Sequence, residues 1–305
     1  MSKVHVVVPT YNGERYLKAL LDSVIANDYN DFDIEICDDC STDGTVSIAE
    51  EYAKEYDNIT LHKNKKNLGY TKNFLSAIKR SESPYIMLCD QDDIWHKNKI
   101  RVTAERMKKV EKKWPDQPAL VFTDAMNYDS DSKMELGSFF RNSHMDPRDS
   151  GLAKLLMENK VIGCTVMINR QVLDYLDVIP EGIKVHDWWL ALICRCFGKI
   201  SYIDNMTLHY RQHSGNMIGG ASFGAYFVNR LVNIVKQRNA IRANVRQGKA
   251  FYNLFKDRLR DKDRYVLRHF ARLYDINPIK RKYEIVKFGF KKSGIVRNLM
   301  LIIIA

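Results

Sequence analysis

Val4-His5-Val6-Val7-Val8-Pro9-Thr10-Tyr11-Asn12 is the stretch on which the fold class turns. Its near-continuous run of valines suits a strand buried on both faces, not one with a wet side. Pro9 closes the run, and three polar residues follow where the chain must turn. Residues 14–26 then carry Tyr16, Leu17, Leu20, Leu21, Val24 and Ile25 at three- and four-residue spacing, which predicts a helix. The alternation repeats. A strand over 32–37 closes on Asp38-Asp39, and a helix over 42–56 follows with Ser41 or Thr42 as N-cap. Next come a strand over 59–62, a helix over 70–80, and a strand over 85–89 ending on Asp90-Gln91-Asp92-Asp93. This pattern predicts an α/β domain with a mostly parallel sheet and helices on both faces. Such sheets gather ligands at the carboxyl ends of their strands, where this sequence concentrates its polar and acidic residues.

Beyond Trp95 the alternation loosens. A charged helix over 97–113 stops at Pro115, and a strand is expected over 119–124. Residues 126–147 read as polar and loop-rich. A helix over 151–157, a strand over 163–169, an apolar helix over 187–197 and short strands over 200–203 and 206–210 follow. From about residue 223 the pattern is long, basic and helical. The composition shift and Gly219-Gly220 suggest a boundary, giving an α/β body over 1–220 and a basic helical region over 221–305.

Charge divides at nearly the same place. Residues 226–305 hold 20 Lys/Arg against 5 Asp/Glu, a net of +15, whereas residues 1–225 hold 28 against 32, a net of −4. A uniformly basic nucleic-acid coat protein is excluded by that split, and 45% hydrophobic residues exclude wholesale disorder. The N-terminal apolar run is too short for a signal-peptide core, and no stretch approaches the roughly 20 apolar residues of a spanning helix. The expected location is cytoplasmic, with the six cysteines reduced and mostly structural. In the basic region, Lys and Arg alternate with aromatic and aliphatic residues, as in Lys280-Arg281-Lys282-Tyr283 and Lys287-Phe288, and the chain ends on Leu299-Met300-Leu301-Ile302-Ile303-Ile304. That mixture suits an anionic membrane surface. A solvated face, a homodimerisation arm or a basic nucleic-acid adaptor are the other readings, and no nucleic-acid motif supports the last.

Four clusters carry chemistry. Three carboxylates within Asp90-Gln91-Asp92-Asp93 repel one another unless a cation neutralises them, and oxygen-only ligands suit Mg²⁺ or Mn²⁺. An acidic turn capping the next helix is the plainer reading. Asp38-Asp39 could accept a base N–H or ribose hydroxyls, or simply cap the following helix. A receiver domain also clusters acids at strand ends, but no phosphoacceptor and lysine arrangement stands out. His186-Asp187-Trp188-Trp189 sets a carboxylate beside indoles, an apolar setting that raises its pKa toward general-base work. From these four residues alone, a helix cap with core tryptophans is the favoured reading. In Tyr210-Arg211-Gln212-His213, Arg211 suits a phosphate and His213 a metal.

In this order, Val8-Pro9-Thr10-Tyr11-Asn12, Cys37-Asp38-Asp39-Cys40-Ser41-Thr42-Asp43-Gly44, Asn67-Leu68-Gly69 and Asp90-Gln91-Asp92-Asp93 resemble the family 2 glycosyltransferases of GT-A fold. Together with His186-Asp187-Trp188-Trp189 and Arg211-Gln212-His213, they look most like bacterial rhamnosyltransferases of cell-wall or surface polysaccharide synthesis. The resemblance covers roughly the first 220 residues. It implies a Rossmann-like body that binds a nucleotide-sugar donor, dTDP-rhamnose foremost and a UDP-sugar as the alternative. Thr10, Tyr11, Asn12, Asp38, Asp39, Asn67, Gly69, Asp90, Gln91 and Arg211 would contact that donor. Asp90 and Asp92, with His213, would hold the metal. Asp187 would be the base of an inverting displacement, with Trp188 and Trp189 toward the acceptor. The acceptor implied is a lipid-linked glycan, met at the inner face of the plasma membrane. Lys72-Asn73 departs from the Ala-Arg-Asn ending of many members.

Overall fold

A computed structural model of the chain describes residues 3–212 and 234–305. His213, expected near a metal, and the expected boundary at Gly219-Gly220 lie outside the described residues. Through β4 the elements follow the expected strand–helix order: β1 (Val4–Thr10), α1 (Glu14–Ile25), β2 (Phe32–Asp38), α2 (Thr45–Glu55), β3 (Ile59–Lys63), α3 (Tyr70–Arg80) and β4 (Tyr85–Leu88); an unexpected two-residue β5 (Ile94–Trp95) follows. The chain continues through α4 (Lys99–Lys113), β6 (Ala119–Asp129), β7 (Met134–Ser138), α5 (Phe139–Asn142), α6 (Leu152–Met157), β8 (Met167–Asn169), α7 (His186–Phe197) and β9 (Lys199–Gln212).

Among the described residues one nine-stranded sheet runs β3-β2-β1-β4-β8-β6-β9-β5, with β7 paired to β6. The β3-β2-β1-β4 half is parallel, and β6 pairs β9 in parallel. β8 enters antiparallel to both β4 and β6 and joins the two halves. Val4, Val6, Val7 and Val8 are wholly buried, as expected of a strand covered on both faces.

Four local expectations need correction. The expected helix over 42–56 begins only at Thr45, after Gly44, because the Asp43 carboxylate accepts the Thr45 N–H at 3.0 Å and ends the turn there. The polar stretch after 126 is no loop: β6 runs on to Asp129 and returns as the β7 hairpin, since backbone pairing tolerates polar side chains on an exposed edge. The strand expected over 163–169 is a 3₁₀ turn at Gly163–Thr165 and then β8. The two short strands after 200 are one, β9, with register shifts against β6 between Thr123 and Met126.

The basic region is built of α8 (Ile234–Phe255), α9 (Asp261–Ala271), α10 (Pro278–Phe288) and α11 (Ile295–Ile304). Their apolar sides join the core of the α/β body. Ile241, Val245, Phe251 and Phe255 of α8 are buried, and the Phe251 ring meets Trp189 at 5.1 Å. Fully burying a side chain of this size contributes roughly 1.5–3 kcal/mol. Gly248 is required by close approach, since a Cβ there would lie 2.5 Å from the Phe270 ring of α9. Polar contacts cross the same seam: Asn244 Nδ2 donates to the Met157 carbonyl at 2.8 Å, and Arg297 meets Glu158 at 3.0 Å.

Candidate active site

The carboxyl ends of β1, β2 and β4 bring three loops together, and the sequence clusters with them. Gln91 ties the first to the third. Its Oε1 accepts the Tyr11 N–H at 3.0 Å, and its Nε2 donates to the Tyr11 carbonyl at 3.1 Å. Gly13 makes room for this amide, because a Cβ there would overlap Gln91 Oε1 and push the side chain out of these bonds. Asn12, at φ 48°, binds the second loop: its Oδ1 accepts the Thr42 N–H at 2.8 Å, and its own N–H reaches Ser41 Oγ at 3.0 Å. Asn is among the few residues that hold a positive φ at low cost. Tyr11 is half exposed and open to a ligand.

Thr10, Asp38 and Asp39, expected as direct nucleotide contacts, are all at most 3% exposed. Thr10 Oγ1 donates to Asp38 Oδ1 at 3.1 Å, and Ser41 donates to the same carboxylate through its N–H and Oγ. Asp39 Oδ1 accepts the Leu68 N–H at 2.7 Å and Asn64 Nδ2 at 2.9 Å, and Oδ2 accepts the Gly69 N–H at 2.8 Å. Asn67 Nδ2 donates to the Asp39 carbonyl at 3.0 Å. Both carboxylates therefore anchor loops, and Asp39 in particular holds Asn67-Leu68-Gly69. A base N–H would find at most one free acceptor site on either carboxylate, on residues at most 3% exposed.

That anchored loop has a consequence one residue later. Gly69 takes φ 79°, a left-handed value suited to glycine, and opens α3 at Tyr70. The Tyr70 hydroxyl donates to Asp90 Oδ1 at 3.0 Å. Tyr70 belongs to the site, and only its position directly after the Asn-Leu-Gly stretch could have signalled it.

Asp90 is pushed up to about 7, by burial first and then by the charge of Asp92, with the Tyr70 hydroxyl opposing. Asp92 is half-buried, and its carbonyl accepts Arg211 Nε at 2.7 Å. Arg211 also sits 5.0 Å from the Tyr16 ring centroid, so it braces the acidic loop from the end of β9. Asp93 turns inward. It is fully buried, and neither of its oxygens has a hydrogen-bond partner among the described residues. Burial, with the charges of Asp92 and Asp90, moves it well above the carboxylate range. Asp90, Asp93 and Cys164 bring ligand atoms within 4.8 Å of one another, a grouping different from the expected Asp90, Asp92 and His213. Burial keeps the Cys164 thiol protonated, which leaves the carboxylates as the groups for a hard cation. Two raised carboxylates, one of them Asp93 with neither oxygen hydrogen-bonded, are the electrostatic state that a divalent ion relieves, so the acidic loop fits one.

Asp187 stands in the first turn of α7, where the helix dipole favours a carboxylate. It is 8% exposed, and burial raises it to about 6. The Trp188 N–H at 2.8 Å and Asn159 Nδ2 at 2.9 Å hold its two oxygens and limit that rise. Its charge is felt at both Tyr70 and Asp90, which joins it to the acidic loop. Asn159, in a segment with no motif, is a residue that sequence reasoning missed.

The neighbours of Asp187 differ from expectation. Trp188 and Trp189, expected toward the acceptor, are both buried. Trp188 is 3% exposed with its Nε1 donating to the Leu155 carbonyl at 2.6 Å, and Trp189 is wholly buried against Phe251 and Phe255. His186 stacks on Phe74 at 3.8 Å, and burial lowers it to about 3, so it is a neutral packing group between α3 and α7.

Comparisons with known proteins bear on the family and the fold. The model of the glycosyl transferase family 2 matches residues 5–173. The dTDP-rhamnosyl transferase RfbG of Shigella flexneri is 32% identical over 223 residues, 69% of this chain and 73% of that protein. Among solved structures, S. aureus TarS 1–349 in complex with UDP-GlcNAc superposes with a TM-score of 0.56 at 18% identity, covering 92% of this chain and 83% of that one. The mannosyltransferase PcManGT from Pyrobaculum calidifontis, in complex with GDP-Man and Mn²⁺, gives 0.53 at 16% identity, covering 99% and 79%. The two structures share the fold. With the family model spanning more than half of the sequence, and a relative 32% identical over 69% of it, the chain belongs to glycosyl transferase family 2.

Proposed function

We propose that the chain is an inverting, metal-dependent transferase that moves L-rhamnose from dTDP-β-L-rhamnose to a lipid-linked glycan in cell-wall or surface polysaccharide synthesis. The observation that carries the chemistry is Asp187: a buried carboxylate raised to about 6, held by two hydrogen bonds, beside an acidic loop. It accepts the proton of an acceptor hydroxyl as that oxygen bonds to the anomeric carbon. The bond from that carbon to the diphosphate breaks on the opposite face, so the configuration inverts and no enzyme nucleophile is needed. Mg²⁺ or Mn²⁺, held by Asp90 and Asp92, would neutralise charge on the leaving diphosphate. Tyr70 and Arg211 fix the two sides of that acidic loop, and Tyr11 and Asn12 present the nucleotide-facing surface. The rhamnosyl relative supports the donor.

The test is a transfer and hydrolysis screen of dTDP-rhamnose, UDP-GlcNAc, UDP-galactose and UDP-glucose, with Mg²⁺, Mn²⁺ or EDTA. Turnover with dTDP-rhamnose that EDTA abolishes is the expected result. Turnover with a UDP-sugar alone moves the donor assignment, and EDTA-resistant turnover removes the metal.

The acceptor reading draws support from the basic region. No helix among the described residues is long and apolar enough to cross a membrane. Yet α10 exposes Ile279, Tyr283 and Val286, and α11 exposes Ile295, Leu299 and Ile303, all at least 61% exposed. The spacings of three and four put each set on one outward stripe. Lys280, Lys282, Lys287 and Lys291 flank them, and each basic residue near an anionic surface adds about 1 kcal/mol. The chain therefore docks peripherally on the inner face of the plasma membrane. The expected result is co-flotation with phosphatidylglycerol vesicles, weakened at least tenfold in Ile295→Ser/Leu299→Ser/Ile303→Ser. Equal binding to neutral vesicles, or a concentration-dependent dimer with no vesicle binding, overturns it.

A further inference from the structure

A cavity of about 290 Å³ opens where the basic region meets the α/β body. That volume is near the lower end of the roughly 300–1,000 Å³ seen for small-ligand pockets. Lys154, Lys160, Lys291 and Lys292 line it, with Asp146 and Asp149. Lys154 pairs with Asp149 at 2.5 Å, so the lining keeps a positive surplus. Lys160 is a built feature. Its side chain is only 2% exposed, and its Nζ is fixed by Glu158 at 2.6 Å and Ser293 Oγ at 2.5 Å. Burying an ammonium is costly unless it is paired, and Glu158 also takes the Ser293 N–H at 2.8 Å, which locks the two walls together.

Two neighbours give the cavity a direction. Asn159, the residue before Lys160, holds the Asp187 carboxylate, so one short segment links the cavity wall to the base. On the other side α11 starts at Gly294, which lines the cavity and has no side chain to cap the helix. A helix start favours negative charge. The outward stripe of the same helix is Ile295, Leu299 and Ile303.

We propose that this lysine cavity binds the diphosphate of the lipid-linked acceptor, placing the lipid along α11 and the sugar toward Asp187. The proposal rests on the transferase reading above for its acceptor class. The cavity recognises phosphate chemistry, which a lipid headgroup or free pyrophosphate could supply, and the outward apolar stripe of α11 favours the lipid.

The experiment measures binding to the full chain in Mg²⁺, with saturating dTDP, or UDP where the donor screen selects a UDP-sugar, filling the nucleotide site. The probes are farnesyl diphosphate, farnesol and inorganic pyrophosphate. The variant is Lys291→Gln/Lys292→Gln, with Lys154→Gln as a second; Lys160 is left intact because its loss would strand Glu158. Expected is binding of farnesyl diphosphate that weakens about tenfold or more in each variant, while farnesol binds at least tenfold more weakly. Retained dTDP affinity in the variants reports an intact fold. Unchanged binding in both variants, or equal binding of farnesol, overturns the site. Equal binding of inorganic pyrophosphate overturns the lipid assignment. None of these readouts uses donor sugar, so failure of the donor screen and failure of this site are separate results.

Discussion

Asp187→Asn is expected to bind dTDP as the wild type does and to lose about 10²–10⁴-fold in turnover, the range that a positioned general base contributes. The substitution keeps size and keeps an oxygen that the Trp188 N–H or Asn159 can bond, so the fold around α7 should persist. What disappears is the basic lone pair. Steady-state transfer with a nucleotide-binding control checks this, and turnover within about threefold of wild type sinks the base assignment. The pH profile supplies an independent reading. A base raised to about 6 must lose its proton to work, so kcat/KM should fall about tenfold per unit as pH drops below 6 and level off above it. Asn159→Ala removes a hydrogen bond that favours the charged carboxylate. Its acid limb should therefore move to higher pH, with little change on the plateau. A limb that stays in place would mean that Asp187 is not the titrating group.

Much of this site is written in local sequence. Val4–Val8, the helical spacing after Glu14 and the acids at strand ends need only near neighbours to be interpreted, and they located the sheet and the strand ends where the candidate site lies. What the sequence could not supply was direction. In Asp38-Asp39 and Trp188-Trp189, polarity or aromaticity suggested contact with a ligand. Whether a carboxylate meets ligand or backbone depends on residues about 30 positions away, Leu68 and Gly69 in the case of Asp39. Trp189 packs on Phe251 and Phe255, which no local pattern connects to it. Asn159 and Tyr70 were missed for the same reason. Each acts on a carboxylate at least 20 positions distant, and neither residue type is unusual where it stands.

Asp39→Ala discriminates between the two readings of the acidic pair. If Asp39 were chiefly a nucleotide contact, its loss would weaken donor binding and leave stability nearly unchanged. The geometry leads to a different outcome. The carboxylate accepts two backbone N–H groups at 2.7 and 2.8 Å and the Asn64 amide at 2.9 Å while only 3% exposed. Hydrogen bonds to a charged group are worth about 1.5–3 kcal/mol each, and the donors left behind are partly reached by water. A net destabilisation of about 2–4 kcal/mol follows. At about 2.1 cal/mol/K per residue, 305 residues give an unfolding entropy of about 0.64 kcal/mol/K, so each 1 kcal/mol lowers Tm by about 1.6 °C and the melting point should drop by roughly 3–6 °C. The loss should also propagate. Freed from Asp39, the Leu68-Gly69 loop no longer fixes the start of α3, and Tyr70 no longer presents its hydroxyl to Asp90. Tyr70→Phe removes only that last bond, so it should reproduce part of the activity loss of Asp39→Ala with little of the thermal loss. Melting curves and transfer rates on both variants test the chain from Asp39 through Gly69 and Tyr70 to Asp90. An Asp39→Ala protein that melts with the wild type, yet binds no dTDP, would restore the carboxylate as a direct nucleotide ligand.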